Sequence, residues 1–305
     1  MLEIGIMVEG QNGLNWPRWQ RLARAVEDLG FVGLYRSDHF TNANPPDMDS
    51  LELWTSFTWL ASHTSRIEFG PLVSPVSFRH PTMTARIASA IDDLSGGRLF
   101  LGMGAGWQER EHTNFGWDLL DVKGRFERFE EALEVVTRLL NSDTPVDFAG
   151  KYYQLHEAIM LPRPARAGGP PILIGGNGPK LTLPLVARYA KEWNAVYVPP
   201  AHLRELNMIL DELLTKQGRA PSDVRRSLMT GSFFGYSDEE VNARAASRNT
   251  TPDEVRARGI VYGTASQVVD QLGEIAEAGV YRVMLQWLDL DDLDRLEAMA
   301  KAVLK

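Results

Sequence analysis

The sequence predicts a (β/α)8 TIM barrel, and three observations carry the prediction. Strand-like and helix-like segments alternate along almost all of the 305 residues. Eight segments read as short apolar strands, nearly all followed by a stretch with helical spacing. The polar, glycine-rich and aromatic residues gather where those strands end, the face at which such barrels bind ligands. A doubly wound sheet is the alternative arrangement of the same elements. No low-complexity linker and no convincing internal repeat divides the chain, so residues 1–305 read as a single domain.

Residues 2–8 are apolar and β-prone. Trp16, Trp19, Leu22, Ala23, Val26 and Leu29 then fall on one helical face, ended by Gly30. Strand two covers residues 31–36, and residues 50–63 read as a helix with Ser50 as its cap. Residues 66–73 form strand three, and His80-Pro81 opens the next helix with proline in the tolerated first turn. Strand four spans 98–104. Phe126, Phe129, Leu133, Val136 and Leu140 repeat at amphipathic spacing after it. Strands five and six fall at 171–176 and 193–198, each followed by a helix, near 179–190 and near 201–217. Strands seven and eight fall at 227–234 and 280–285, and a final helix presents Leu293, Leu296, Met299, Ala300 and Val303. Three insertions interrupt the rhythm, near 105–124, 143–165 and 237–258. The second reads as a hairpin, and the third holds the capping patterns Ser237-x-x-Glu240 and Thr251-Pro252-x-Glu254.

Bulk properties exclude several functions. The chain has 32 basic and 40 acidic residues, a net charge of −8, so it has no basic excess with which to neutralise nucleic-acid phosphates. It has no cysteine, which rules out disulfides, thiolate nucleophiles and cysteine metal sites and fits a reducing compartment. The N-terminus reads as strand one rather than as a signal peptide, and no apolar run approaches the length of a membrane span. The expected location is the cytoplasm.

Chemistry gathers at the strand ends. Strand two delivers Ser37-Asp38-His39-Phe40, where a histidine can move a proton near neutral pH and an adjacent carboxylate can orient or charge it. Strand three ends in Val73-Ser74-Pro75 and strand four in Gly104-Ala105-Gly106-Trp107. Strand six supplies Asn194 and then Tyr197. Gly175-Gly176-Asn177-Gly178 joins strand five to a helix, so its amides and the helix N-terminus suit an anion. Plain structural turns and buried aromatics are the competing reading of each. Glu109, Glu111 and His112 do not suggest a metal site, because Glu111 and His112 are adjacent and point apart on a helix. No Gly-x-Ser-x-Gly elbow marks a hydrolase.

In this order the segments resemble the luciferase-like monooxygenase family, and most of all its coenzyme F420-dependent branch. The likeness covers Gly30-Phe31, Ser37-Asp38-His39-Phe40, Arg66-Ile67-x-Phe69-Gly70 and Phe78-Arg79-His80-Pro81. It continues through Gly96-Gly97-Arg98-Leu99-x-Leu101-Gly102-x-Gly104-Ala105-Gly106-Trp107, Gly124-Arg125-Phe126, Gly150-x-Tyr152-Tyr153-x-Leu155, Ile174-Gly175-Gly176 and Gly263-Thr264. The resemblance implies a barrel that binds F420, or alternatively FMN, at its C-terminal mouth. It implies a cis peptide bond at Leu72–Val73 under the ring, with Ser74 beside it, and Asp38 near the cofactor's polar edge. By the same likeness His39 handles a proton beside the hydride-transfer carbon, Gly175, Gly176, Asn177 and Gly178 hold the phosphate, and Gly104, Gly106 and Trp107 flank the ring and substrate.

One departure narrows the expectation. Sugar-phosphate dehydrogenases of that branch carry a glutamate where this chain has Trp107. A sugar phosphate is therefore not the expected substrate; a small apolar or aromatic molecule suits Phe40, Trp107, Tyr197 and Trp54 better. His39 is expected to work without a carboxylate directly opposite it. The activity implied is hydride transfer between F420 and a small organic substrate. An FMN-dependent monooxygenase and a non-catalytic flavin-binding barrel are the alternatives, and a homodimer is common in the resembling family.

Overall fold

The computed structural model describes residues 2–304. In chain order the elements are β1 (Glu3–Val8), α1 (Trp16–Leu29), β2 (Gly33–Arg36), α2 (Leu53–His63), β3 (Glu68–Pro71), β4 (Ser74–Pro75) and α3 (Pro81–Ser95). They continue with β5 (Leu101–Gly104), α4 (Glu109–Phe115), α5 (Val122–Asn141), β6 (Val146–Ala149), β7 (Gln154–Ala158), β8 (Ile172–Gly175), α6 (Thr182–Tyr189) and β9 (Glu192–Val196). The last are α7 (Pro200–Lys216), β10 (Arg225–Phe234), α8 (Asp238–Ser247), α9 (Pro252–Ala257), β11 (Val261–Gly263), α10 (Ala265–Glu277), β12 (Arg282–Gln286) and α11 (Leu293–Val303).

The strands run parallel in the order β3-β2-β1-β12-β10-β9-β8-β5, with β4 beyond β5. The ring closes between β3 and the entry to β5. The Phe69 amide donates to the Arg98 carbonyl at 3.1 Å, and the Phe100 amide returns to the Phe69 carbonyl at 2.8 Å. Closure leaves no edge to cover. It also explains a glycine: a Cβ on Gly102 would lie 1.9 Å from the Pro71 carbonyl oxygen, so only glycine admits this approach.

All eight barrel strands coincide with the eight read from the sequence. Helices pack outside them through the faces that periodicity identified; α1 buries Trp19, Leu22, Ala23 and Val26. The insertion near 143–165 is the β6–β7 antiparallel hairpin, that near 105–124 carries α4, and that near 237–258 forms α8 and α9. Helix two differs from the reading. It begins at Leu53, capped by Glu52, whose carboxylate accepts from the Thr55 amide at 2.6 Å. Ser50 is drawn elsewhere: its hydroxyl donates to the His39 carbonyl at 2.6 Å. Of the capping patterns, Thr251–Glu254 closes as a full box, whereas Glu240 turns back to the Tyr236 amide instead of that of Ser237.

The N-terminal end of the barrel is plugged by Arg282, 1% exposed. Its guanidinium binds Glu3 at 2.6 and 2.8 Å, pairs with Glu68, donates to the Tyr35 hydroxyl at 2.6 Å and lies 3.5 Å from the fully buried Glu192. This charged plug leaves the opposite, C-terminal end for chemistry. No helix among the described residues is long and apolar enough to cross a membrane.

Candidate active site

The C-terminal mouth opens into a cavity of about 590 Å³. Its floor is apolar, made by Met7, Leu72, Val73 and Met229, and its walls come from the ends of β1, β2, β4, β5, β8 and β9. The Leu72–Val73 peptide is cis, as the resemblance implied. Val73 fills space that two glycines leave for it. A Cβ on Gly104 would stand 2.6 Å from Val73 Cγ2, and one on Gly175 would stand 3.1 Å from Val73 Cγ1. These glycines therefore shape the floor first, by allowing the β3–β4 bulge to press between β5 and β8.

His39 enters the cavity from the end of β2. Its Nδ1–H donates to Glu111 Oε1 at 2.7 Å, while Glu111 Oε2 accepts from the Phe40 amide at 3.0 Å. Glu111 is wholly buried at the third position of α4. Nε2 of His39 has no protein partner among the described residues, and the ring lines the cavity. Burial by itself would push the imidazole's pKa down; the hydrogen bond to Glu111 and its charge outweigh this and hold it above its ordinary value. The carboxylate that orients and charges His39 is thus Glu111, on the Nδ1 side, and not the adjacent Asp38.

Several contacts fix α4 against the loop after β2. Thr41 and Gln108 exchange hydrogen bonds at 3.0 and 3.1 Å. Phe40 packs at 5.1 to 5.3 Å between Phe78, Phe115 and Trp117. His112, next to Glu111, points the other way, to Ser77 at 2.7 Å. The divergence read from the sequence is real; nothing in the residue spacing signals that Glu111 diverges toward His39.

Among the sequence-identified residues, His39, Leu72, Val73, Gly104, Gly106, Trp107, Gly175, Gly176 and Tyr197 line the cavity. Asp38, Ser74, Asn177, Gly178 and Phe40 do not. Asp38 is buried behind the wall, accepting from Ser74 Oγ at 2.7 Å and paired with Arg79. Asn177 folds back as a surrogate strand partner, its amide donating to the Val196 carbonyl at 2.8 Å and accepting from the Val196 amide at 2.9 Å. Trp54 packs on Phe57 in α2 and faces a separate shallow groove. Trp107 is 61% exposed at the rim and meets the His39 ring edge-on at 5.5 Å. Residues that sequence reasoning missed are Glu111, Glu9, Gln11 and Arg125, all cavity-lining.

A family model described as luciferase-like monooxygenase matches residues 2–250. The chain belongs to this family. Within it, the chain is 25% identical to a 4-hydroxyprotoasukamycin monooxygenase of Streptomyces nodosus subsp. asukaensis, over 93% of the chain and 84% of that protein. It is 30% identical to an F420-dependent glucose-6-phosphate dehydrogenase of Microbacterium testaceum, over 65% of the chain and 59% of that protein. The family's architecture agrees with the observed barrel: an F420-dependent secondary alcohol dehydrogenase structure superposes with a TM-score of 0.86 at 20% identity, covering 99% of each chain.

Proposed function

We propose that this protein is an F420-dependent oxidoreductase that delivers hydride to a small, largely apolar substrate. The observation that carries the reading is the His39–Glu111 pair at the mouth of a family barrel, with Nε2 turned to the cavity. The F420-dependent naming of relatives such as the M. testaceum enzyme supports the choice of cofactor.

The residues present fit such a group. The Val73 bulge and its glycine clearance offer a flat apolar seat for a tricyclic ring. The backbone amides of Asn177, Gly178, Lys180 and Leu181 donate to no protein acceptor among the described residues, just before α6. The buried Nε of Arg125 is likewise without a partner, on a side chain that lines the cavity. These amides and Arg125 suit the phosphate and acidic tail of F420, or the phosphate of FMN.

When bound, the deazaflavin supplies a hydride. The chain supplies the rest. His39, its imidazolium favoured by Glu111, holds a proton at Nε2 for the substrate atom that gains electron density. Trp107 covers that ring edge and, with Tyr197, gives an aromatic surface for the substrate body. Asp38, anchored by Arg79 and Ser74, acts from behind as a fixed charge. The reading extends to a homodimer in the cytoplasm, its size checked by light scattering.

FMN-dependent monooxygenation is the second reading, favoured by the monooxygenase of S. nodosus, whose match spans 93% of the chain. Fluorescence titration with F420, FMN and FAD separates the two. Saturable F420 binding with no FMN binding supports the first; saturable FMN binding alone, followed by oxygen consumption with reduced FMN, supports the second.

A further inference from the structure

Opposite the phosphate-suited loop, the cavity wall is a continuous chain of hydrogen bonds centred on Glu9. Gln286 Nε2 donates to Glu9 Oε1 at 2.6 Å, and Gln11 Nε2 donates to Glu9 Oε2 at 3.1 Å. The Tyr197 hydroxyl donates to Gln286 Oε1. Ser37 Oγ donates to Gln11 Oε1 at 2.8 Å and accepts from the Gly10 amide at 2.9 Å.

The direction of every bond in this chain is fixed by its centre. A carboxylate only accepts, so both glutamine amides must turn their NH2 groups toward Glu9 and their oxygens outward. The outward oxygens in turn consume the protons of Tyr197 and Ser37. Burial, the largest influence on Tyr197, pushes its pKa up to about 12, so the hydroxyl keeps the proton it donates. What remains for a ligand on this wall is mainly acceptor capacity: the spare lone pairs of Glu9 and of the Tyr197 oxygen, both cavity-lining, against the single spare N–H of Gln11. Two guanidinium groups border this wall from outside the cavity: Arg36, committed to Ser56 Oγ at 2.9 Å and the Leu51 carbonyl, and Arg258, stacked on the outer face of Tyr197 at 5.6 Å. Among the described residues Arg125 is the only lysine or arginine lining the cavity, and it bonds the Gly106 carbonyl at 3.2 Å.

We infer that Glu9 and Tyr197 select substrates carrying a hydrogen-bond donor, a hydroxyl or a protonated amine, near the group that meets His39, and reject carboxylates and phosphates there. The inference rests on the oxidoreductase reading and names its substrate class. A buried acceptor left facing another acceptor loses its hydration without gaining a bond, so rejection of anions on this wall is as strong as acceptance of donors.

The test uses three ligands with one apolar body: cyclohexanol, cyclohexylamine and cyclohexanecarboxylate, bound at neutral pH and followed by calorimetry with and without F420. The alcohol and the amine are expected to bind wild-type protein about tenfold or more tighter than the carboxylate. Glu9→Gln is expected to cost the amine about tenfold while leaving the alcohol within a few-fold. Tyr197→Phe, which leaves the Glu9 charge in place, is expected to weaken the two donor-headed ligands and not the carboxylate. A carboxylate that binds tightest, an amine affinity unchanged in Glu9→Gln, equal weakening of all three ligands in Tyr197→Phe, or no saturable binding of any ligand overturns the inference. Failure of F420 to bind while the head-group order holds overturns the cofactor reading instead and leaves the wall as inferred.

Discussion

His39 and Glu111, 72 positions apart in the chain, share a 2.7 Å hydrogen bond through His39 Nδ1. The contact joins the end of β2 to the short helix after β5 and turns a surface-prone imidazole into a directed one. Its consequence is that Nε2 alone faces the cavity, with a proton that Glu111 helps to retain.

Removing that imidazole removes the proposed proton donor. His39→Ala is expected to lower turnover about 10²- to 10⁴-fold while F420 binding persists, as read by steady-state kinetics beside a fluorescence titration. Unchanged turnover would show that His39 has no part in the chemistry.

Glu111→Gln keeps the shape and loses the charge. In wild-type protein the rate is expected to hold at low pH and fall as pH rises through the raised His39 value; in the variant that fall moves to lower pH. The same sign governs stability. Because the fold raises the imidazole's affinity for its proton, this contribution is complete below the usual value of 6.5 and disappears as pH climbs through the folded value. Urea titrations at two pH values on either side measure it, and the dependence is expected to flatten in Glu111→Gln.

Trp107 is exposed yet touches the site. Trp107→Ala is expected to change unfolding free energy by no more than about 0.5 kcal/mol, while weakening substrate roughly three- to tenfold. A loss of stability without a change in KM would assign the residue to packing alone.

Gly104→Ala tests the floor. Its new Cβ would crowd Val73 Cγ2 at 2.6 Å, so a destabilisation of about 1–3 kcal/mol is expected, together with weaker cofactor binding. Loss of stability with cofactor affinity intact would separate the Val73 seat from the binding site.

At the other end of the barrel, Arg282→Met strands Glu192, whose carboxyl is pushed up by burial and has no hydrogen-bonded oxygen among the described residues. The expected cost is about 3–5 kcal/mol. The cost is expected to grow as pH rises through the raised Glu192 value, because the stranded carboxyl must then ionise without its cation, as read by denaturant melts across the acidic-to-neutral range.

The barrel was legible because its information is local. Alternation of apolar strands and amphipathic faces, such as Trp19, Leu22, Ala23 and Val26 on α1, repeats within a few residues. His39, Val73, Gly104, Gly175 and Tyr197 were legible because each stands at a strand end, where the fold delivers it to the mouth. Glu111 was not. It lies on a seven-residue helix in an insertion, and only the docking of that helix through Gln108–Thr41 and the Phe40 cluster aims it at His39. Glu9 escaped notice for a related reason: it follows β1 as an ordinary acidic residue, and its role comes from Gln286, 277 positions away. Asp38 shows the reverse error of proximity, since its neighbour His39 faces the cavity while Asp38 faces Arg79.

Retention of the His39 proton by Glu111 is open to direct measurement. An NMR titration of the His39 imidazole in wild-type protein and in Glu111→Gln tests it without any need for a substrate. The expected midpoint lies above the ordinary 6.5 in wild-type protein and is lower in the variant. A wild-type midpoint at or below 6.5, or one that Glu111→Gln leaves in place, would contradict it.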